Sequence, residues 1–244
     1  MNALQVRLNP LVSESSPSHP VGPPYNPNVR DLIQGKRHRS SQPEIEELKQ
    51  GFRGWHERGY LPHRDAPGLT QFVTFHLVDS FPELLRSKWA HLVTIEDDRE
   101  RRKQLEAYLD LGKGECYLKR PAIAAIVEEN FRRFGKAGER YNLLAWCIMP
   151  NHVHVLFKVG SAPMSEIVGA WKKHSGRLAN EMLGKSGAFW ARDYFDTYIR
   201  DAEHERRTIY YIESNPAKAK QVIDPKDWPW SSARFRDEFG RLCC

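Results

Sequence analysis

Eighteen consecutive residues, Asn142 to Val159, leave this chain little choice of local structure. The run NLLAWCIM (142–149) is almost unbroken apolar sequence, Pro150-Asn151 is a turn dipeptide, and HVHVLFKV (152–159) alternates. A short apolar run bounded by turn residues reads as a buried strand, and strict alternation as a strand with two different faces. Side chains alternate along a strand, so Val153, Val155 and Phe157 share one face while His152 and His154 share the other.

Further elements surround this pair. QFVTFHLV (71–78) is rich in β-branched and aromatic residues and predicts a strand, with the folded domain starting near Gly68. Pro82 opens a long, charged helical stretch to about Leu111, broken by Gly112 and Gly114. A helix over 121–134 carries Ile123, Ile126, Val127 and Phe131 on one side, and another is expected over 164–183. DYFDTYIR (193–200) predicts a fourth strand, and a last helix runs from Ala202 to Asn215, capped by Asp201 and stopped by Pro216. The order strand, helices, strand, strand, helix, strand, helix suits an α+β fold, a ferredoxin-like antiparallel sheet with helices packed on it.

Outside that domain, assigned to residues 68–236, the first 42 residues form a Pro/Ser-rich tail expected to be disordered, because such a composition buries too little apolar surface to offset its ordering entropy. Residues 43–67 are a short extension with a possible helix over 43–56, where Ile45, Leu48 and Phe52 recur at helical spacing, and 237–244 form a C-terminal tail. No apolar run approaches the roughly 20 residues that span a bilayer, and the N-terminus lacks the apolar core of a secretory signal. Cys116, Cys147, Cys243 and Cys244 form no C-x-x-C pair and read as free thiols in a reducing cytoplasm. A net charge of +6 permits a polyanionic partner without requiring one.

Two imidazoles at i and i+2 on one strand face can chelate a single divalent ion. Alone, His-x-His is a weak signal, since two ordinary histidines on a half-exposed strand also satisfy it. A second cluster changes the balance. In IYYIESN (209–215), Tyr211 and Asn215 are four residues apart and share a helix face. The Asn215 amide oxygen is a neutral third ligand suited to Mg²⁺ or Mn²⁺, and Tyr211 would hold its phenol beside the same ion. Tyr210 is turned by about 100° around the helix. A cation that polarises a phosphodiester and a tyrosine that attacks it make a coherent site, and the chain has no G-x-x-x-x-G-K-[ST] nucleotide loop.

MPNHVHVLF (149–157), YIESNP (211–216), FWARDYFDTYIR (189–200), WPWSS (228–232) and RGYLPH (58–63) together resemble the REP-associated tyrosine transposases, within the HUH (His-hydrophobic-His) endonucleases. The resemblance covers roughly residues 58–236. It implies a ferredoxin-like HUH nuclease fold and cleavage and rejoining of single-stranded DNA at palindromic hairpins through a 5′-phosphotyrosine intermediate. His152 and His154 match the paired metal ligands, Tyr211 the nucleophile and Asn215 the third ligand. Related insertion-sequence transposases usually carry Gln at the last position; the REP-associated branch accepts Asn. The location implied is cytoplasmic and nucleoid-associated, and the active form a monomer or a homodimer.

Candidate DNA contacts are Lys172, Lys173 and Arg177 on one helix and Arg132 and Arg133, with Lys136, on another; Lys119-Arg120 is a third cluster. Asp193, Asp196 and Arg200 read as structural, with Asp196 a candidate neighbour of the metal. The main alternative is a hairpin-binding regulatory protein that does not cut, although binding alone needs no nucleophile. An acid-triad transposase or a zinc hydrolase lacks its ligands.

Overall fold

The computed structural model describes residues 43–57, 62–80, 95, 98–135 and 139–243. The expectations for the tail over 1–42, for the start of the helix opening at Pro82 and for Lys136 fall outside them. Helix α1 (Ile45–Lys49) is a single turn closed by a capping box between Glu44 and Glu47. It stops well before His56, because Gly51 adopts a left-handed φ of 91° and turns the chain away. Ile45 and Leu48 are exposed, so their helical spacing marks no core face. Trp55 and His56 belong instead to strand β1 (Gly54–Glu57), paired with β2 (Pro62–Asp65) in a two-stranded hairpin.

The central sheet contains β3 (Thr70–His76), β4 (Tyr141–Ile148), β5 (His152–Val159) and β6 (Phe195–Tyr198), in the spatial order β4-β5-β3-β6. Every neighbouring pair is antiparallel. Helix α2 (Asp98–Leu109) and helix α3 (Pro121–Gly135) connect β3 to β4, and α4 (Met164–Leu183) connects β5 to β6. Helix α5 (Ala202–Lys218) follows β6. Two interlocked strand–helix–strand units in an antiparallel sheet are the ferredoxin-like arrangement expected from the element order.

One face of the sheet presents Val73, Phe75, Val153, Val155 and Phe157 to Ile123, Val127 and Phe131 of α3 and to Ile167, Val168 and Trp171 of α4. Trp171 donates from Nε1 to Tyr141 Oη (2.9 Å), which donates to the Phe131 carbonyl (2.7 Å), so the polar tips of these buried rings are satisfied. The opposite face presents Phe72, Ala145, Cys147 and Leu156 to Ile212, Ile209 and Tyr211 of α5. A bulge between Leu143 and Ala145 shifts the β4 register and lets its continuous apolar run serve both faces. Because α5 lies over the second face, His152 and His154 are buried rather than half-exposed.

Helix α5 begins as expected, with the Asp201 side chain accepting from His204 N at 2.7 Å, a cap worth about 1 kcal/mol. It does not stop at Pro216. The helix continues to Lys218, with Ala219 N donating to the Asn215 carbonyl at 2.9 Å. In the last turn a proline removes only the bond its own N–H would have made. Beyond α5 the chain returns to the edge of β4. Ile148 N donates to the Trp230 carbonyl (2.9 Å), Trp228 Nε1 to the Ile148 carbonyl (3.0 Å) and Trp146 N to Ser232 Oγ (3.1 Å). Residues 237–243 are not a loose tail, since Arg236 and Leu242 form a β-bridge.

The β1–β2 hairpin docks beside β6 through a buried ionic cluster. His63 Nδ1 hydrogen-bonds Asp196 Oδ1, and its Nε2 lies 3.6 Å from Asp193 Oδ1. Asp196 is in register with Val73 and therefore sits on the sheet face away from the two histidines. Its expected place near a metal is thus not where the fold puts it. Burial opposes a charged His63, but the hydrogen bonds and negative charges of Asp193 and Asp196 outweigh that and raise its pKa to about 9. A raised folded-state pKa contributes stability that is complete below pH 6.5 and is lost as pH rises through 9. Chemical denaturation should accordingly show stability falling across that interval. His63→Ala, which strands two buried carboxylates, should cost about 3–5 kcal/mol at pH 6; a variant as stable as wild type at that pH would refute the cationic cluster.

Candidate metal centre and nucleophile

β5 and α5 supply the site, and β3 and the β4–β5 turn orient it. His76 lies directly across from His152, and Thr74 across from His154. Asn151 sits in the turn, where its Nδ2 donates to the carbonyls of Leu109 (3.1 Å) and Lys113 (3.3 Å). That leaves Asn151 Oδ1 as an acceptor for His152 Nδ1–H at 2.8 Å, which puts the His152 lone pair on Nε2. Thr74 Oγ1 lies 2.8 Å from His154 Nδ1; when the hydroxyl accepts there, the lone pair is on His154 Nε2.

The two Nε2 atoms face each other at 3.1 Å. Two imidazole lone pairs at that separation repel unless a proton or a cation lies between them. Two ligands about 2.1 Å from one ion at a right angle stand roughly 3.0 Å apart, which fits the pair. Burial, with His154 and His76 adding their charge, holds the His152 pKa well below its ordinary value, so the ring stays neutral and able to ligate. His76 is likewise lowered to about 4, mainly by burial.

Asn215 reaches the pair from α5, its Nδ2 3.3 Å from His154 Nε2. A half-turn of the amide would present Oδ1 instead, and that oxygen is buried with no hydrogen-bond partner among the described residues. Among the described residues no group of three or more His, Cys, Asp or Glu side chains could hold a metal ion. The Tyr211 ring packs edge-on against His154 (5.8 Å between centroids) and Phe72 (5.9 Å). Its hydroxyl is also buried without a partner among the described residues. Tyr210, one residue earlier, is 72% exposed.

The fold thus brings His152, His154, Asn215 and Tyr211 together. It does not bring the basic clusters to them. Arg132 and Arg133 lie on α3, and Lys172, Lys173 and Arg177 on α4, the helices behind the sheet. Lys172 is tied to the Arg192 carbonyl (2.8 Å), Arg177 pairs with Glu181 (2.5 Å), and Arg132 stacks over Phe235 (4.9 Å). Asn151 and Thr74, which orient the imidazoles, escaped sequence reasoning. Asn151 had read only as a turn residue, and Thr74 carries no local signal.

Residues 118–215 match the family model described as "Transposase IS200 like". A REP-associated tyrosine transposase of Escherichia coli (strain K12) is 23% identical over 97 residues, 40% of this chain and 57% of that protein. A relative under the same family name from Haemophilus influenzae is 25% identical over 103 residues, 38% of this chain and 58% of its own. The resemblance to REP-associated tyrosine transposases holds. The matched segment spans less than three fifths of the length of either transposase. The solved structure of a REP-associated tyrosine transposase bound to a REP hairpin aligns with a TM-score of 0.41 at 21% identity, over 73% of this chain and 82% of that one. Among the described residues no helix is long and apolar enough to cross a membrane.

If Asn151 holds His152 in its ligating tautomer, Asn151→Ala should weaken Mn²⁺ binding by about 10–100-fold in a calorimetric titration, as loss of an orienting partner does. Unchanged affinity would show that the imidazole needs no such partner.

Proposed function

We propose that this chain is a divalent-metal-dependent single-strand DNA endonuclease and strand transferase acting at REP-like hairpins, with Tyr211 as nucleophile. The observation that carries this reading is the convergence of two imidazole nitrogens, a buried amide and the partly buried Tyr211 ring on one face of the sheet. The similarity to REP-associated tyrosine transposases supports it. Hairpin recognition comes by analogy with the relative solved on a REP hairpin.

His152, His154 and Asn215 would hold Mg²⁺ or Mn²⁺, which when bound supplies polarisation of a non-bridging phosphate oxygen. Tyr211 Oη attacks the phosphorus of a single strand; the new O–P bond forms as the bond from phosphorus to the 3′ oxygen breaks. The phenol proton passes to solvent and the departing 3′ oxygen takes one up, leaving a 5′-phosphotyrosine and a free 3′-hydroxyl. The ester keeps the phosphodiester's bond energy, so the reverse attack by another 3′-hydroxyl rejoins strands without a nucleotide cofactor.

Incubation with a hairpin-bearing single strand and Mg²⁺ should yield a covalent adduct on a denaturing gel, absent in EDTA and restored by Mn²⁺. Tyr211→Phe should abolish it while leaving hairpin affinity within a few-fold, and Tyr210→Phe should retain most of it. His152→Ala and His154→Ala should each eliminate cleavage, and Asn215→Ala should reduce it less completely, since water can replace one ligand. An adduct mapped to Tyr210, or one formed in full with EDTA present, overturns the assignment. Hairpin binding with no adduct under any condition would favour a regulator that does not cut.

Binding itself should favour a hairpin with unpaired flanks over a closed duplex of the same sequence, because unpaired bases expose edges and stacking faces. Affinity should fall as salt rises. Equal affinity for both forms in a gel-shift titration would indicate attraction to charge alone.

A further inference from the structure

The metal and its ligands address one side of a phosphodiester, whereas the phosphate carries its negative charge over two non-bridging oxygens. A second positive group should therefore stand near Tyr211, on the solvent side of its ring. Lys218 follows Tyr211 by seven residues, two turns along α5, and so returns to nearly the same helix face. Its Nζ lies 4.6 Å from the centroid of the Tyr211 ring and 5.9 Å from that of Tyr210.

That ammonium is exposed and makes no ion pair within 4 Å among the described residues. The arginines earlier on the same helix differ, since Arg206 and Arg207 both pair with Glu203. Asp110, just beyond α2, feels the charge of Lys218 without forming an ion pair with it. A cation held over one aromatic face, with no carboxylate in ion-pair contact among the described residues, keeps its charge for an incoming anion.

We infer that Lys218 is a catalytic residue that binds the scissile phosphate, pairing with the non-bridging oxygen that the metal does not take. The inference rests on Tyr211 being the nucleophile. Arginine in its place would keep the charge at a different reach.

The test compares wild type, Lys218→Ala and Lys218→Arg in single-turnover adduct formation on a hairpin-bearing strand. The scissile position carries either the natural phosphate or a neutral methylphosphonate. With the phosphate, Lys218→Ala should slow adduct formation by about 10–100-fold and Lys218→Arg by less, with melting temperature and hairpin affinity close to wild type. With the methylphosphonate, wild type and Lys218→Ala should react at rates within about two-fold of each other, because the charge that Lys218 meets is gone. A deficit of equal size on both substrates would mean a structural role and overturn the inference, as would an undiminished rate on the phosphate. Failure of wild type to form any adduct would instead overturn the nucleophile reading, and this inference with it.

Discussion

Seven consecutive residues of β3 pair with β5 without a slip, from Thr70↔Lys158 to His76↔His152. A slip of one residue would send the two histidines into the apolar core and expose Val153 and Val155 to the polar side. The register is held from both faces at once. Apolar side chains of β3 and β5 close on α3 and α4, while Thr74 meets His154 across the strands. Two buried imidazoles would be a liability without partners, and Thr74 and Asn151 supply one for each ring. What remains is the approach of the two Nε2 atoms to 3.1 Å, the geometry on which the proposed metal site rests.

Helix α5 brings Asn215 and Tyr211 to the histidine pair. Its apolar side, with Ile209 and Ile212, packs over the second face of the sheet and sets the depth at which Asn215 and Tyr211 arrive. Glu213, on the same helix, accepts from Ser232 Oγ (2.5 Å) and Arg236 Nε (2.8 Å), and Arg236 also donates to the Leu144 carbonyl (2.7 Å). The WPWSS segment therefore acts as a brace that ties the helix to β4, which explains why aromatic and hydroxyl residues occur together in it.

The central strands, α4 and the start of α5 were legible because each is announced locally, by alternation, by helical spacing or by a cap. The shared face of His152 and His154 and the four-residue spacing of Tyr211 and Asn215 follow from backbone periods alone, so most of the site could be read as well. What escaped depends on partners distant in sequence. The β1–β2 hairpin is a strand pair because it docks on β6, not because GWHE or PHRD has strand character of its own. The burial of His63 between Asp193 and Asp196 joins residues more than a hundred positions apart. Pro216 misled because it lies in the last turn, where losing its one bond leaves the earlier turns of the helix intact. The basic clusters on α3 and α4 misled differently, since charge composition says nothing about which side of a sheet a helix will cover.

The brace at 228–236 has a further consequence for how the protein comes into being. Synthesis proceeds from the N-terminus, so β3, the histidine strand and α4 leave the ribosome well before helix α5. That helix leaves in turn before the segment that ties it down. A growing chain can pair β5 with its neighbours while Tyr211 is still unanchored, and α5 is fixed against the sheet only when Trp228 to Arg236 reach the edge of β4.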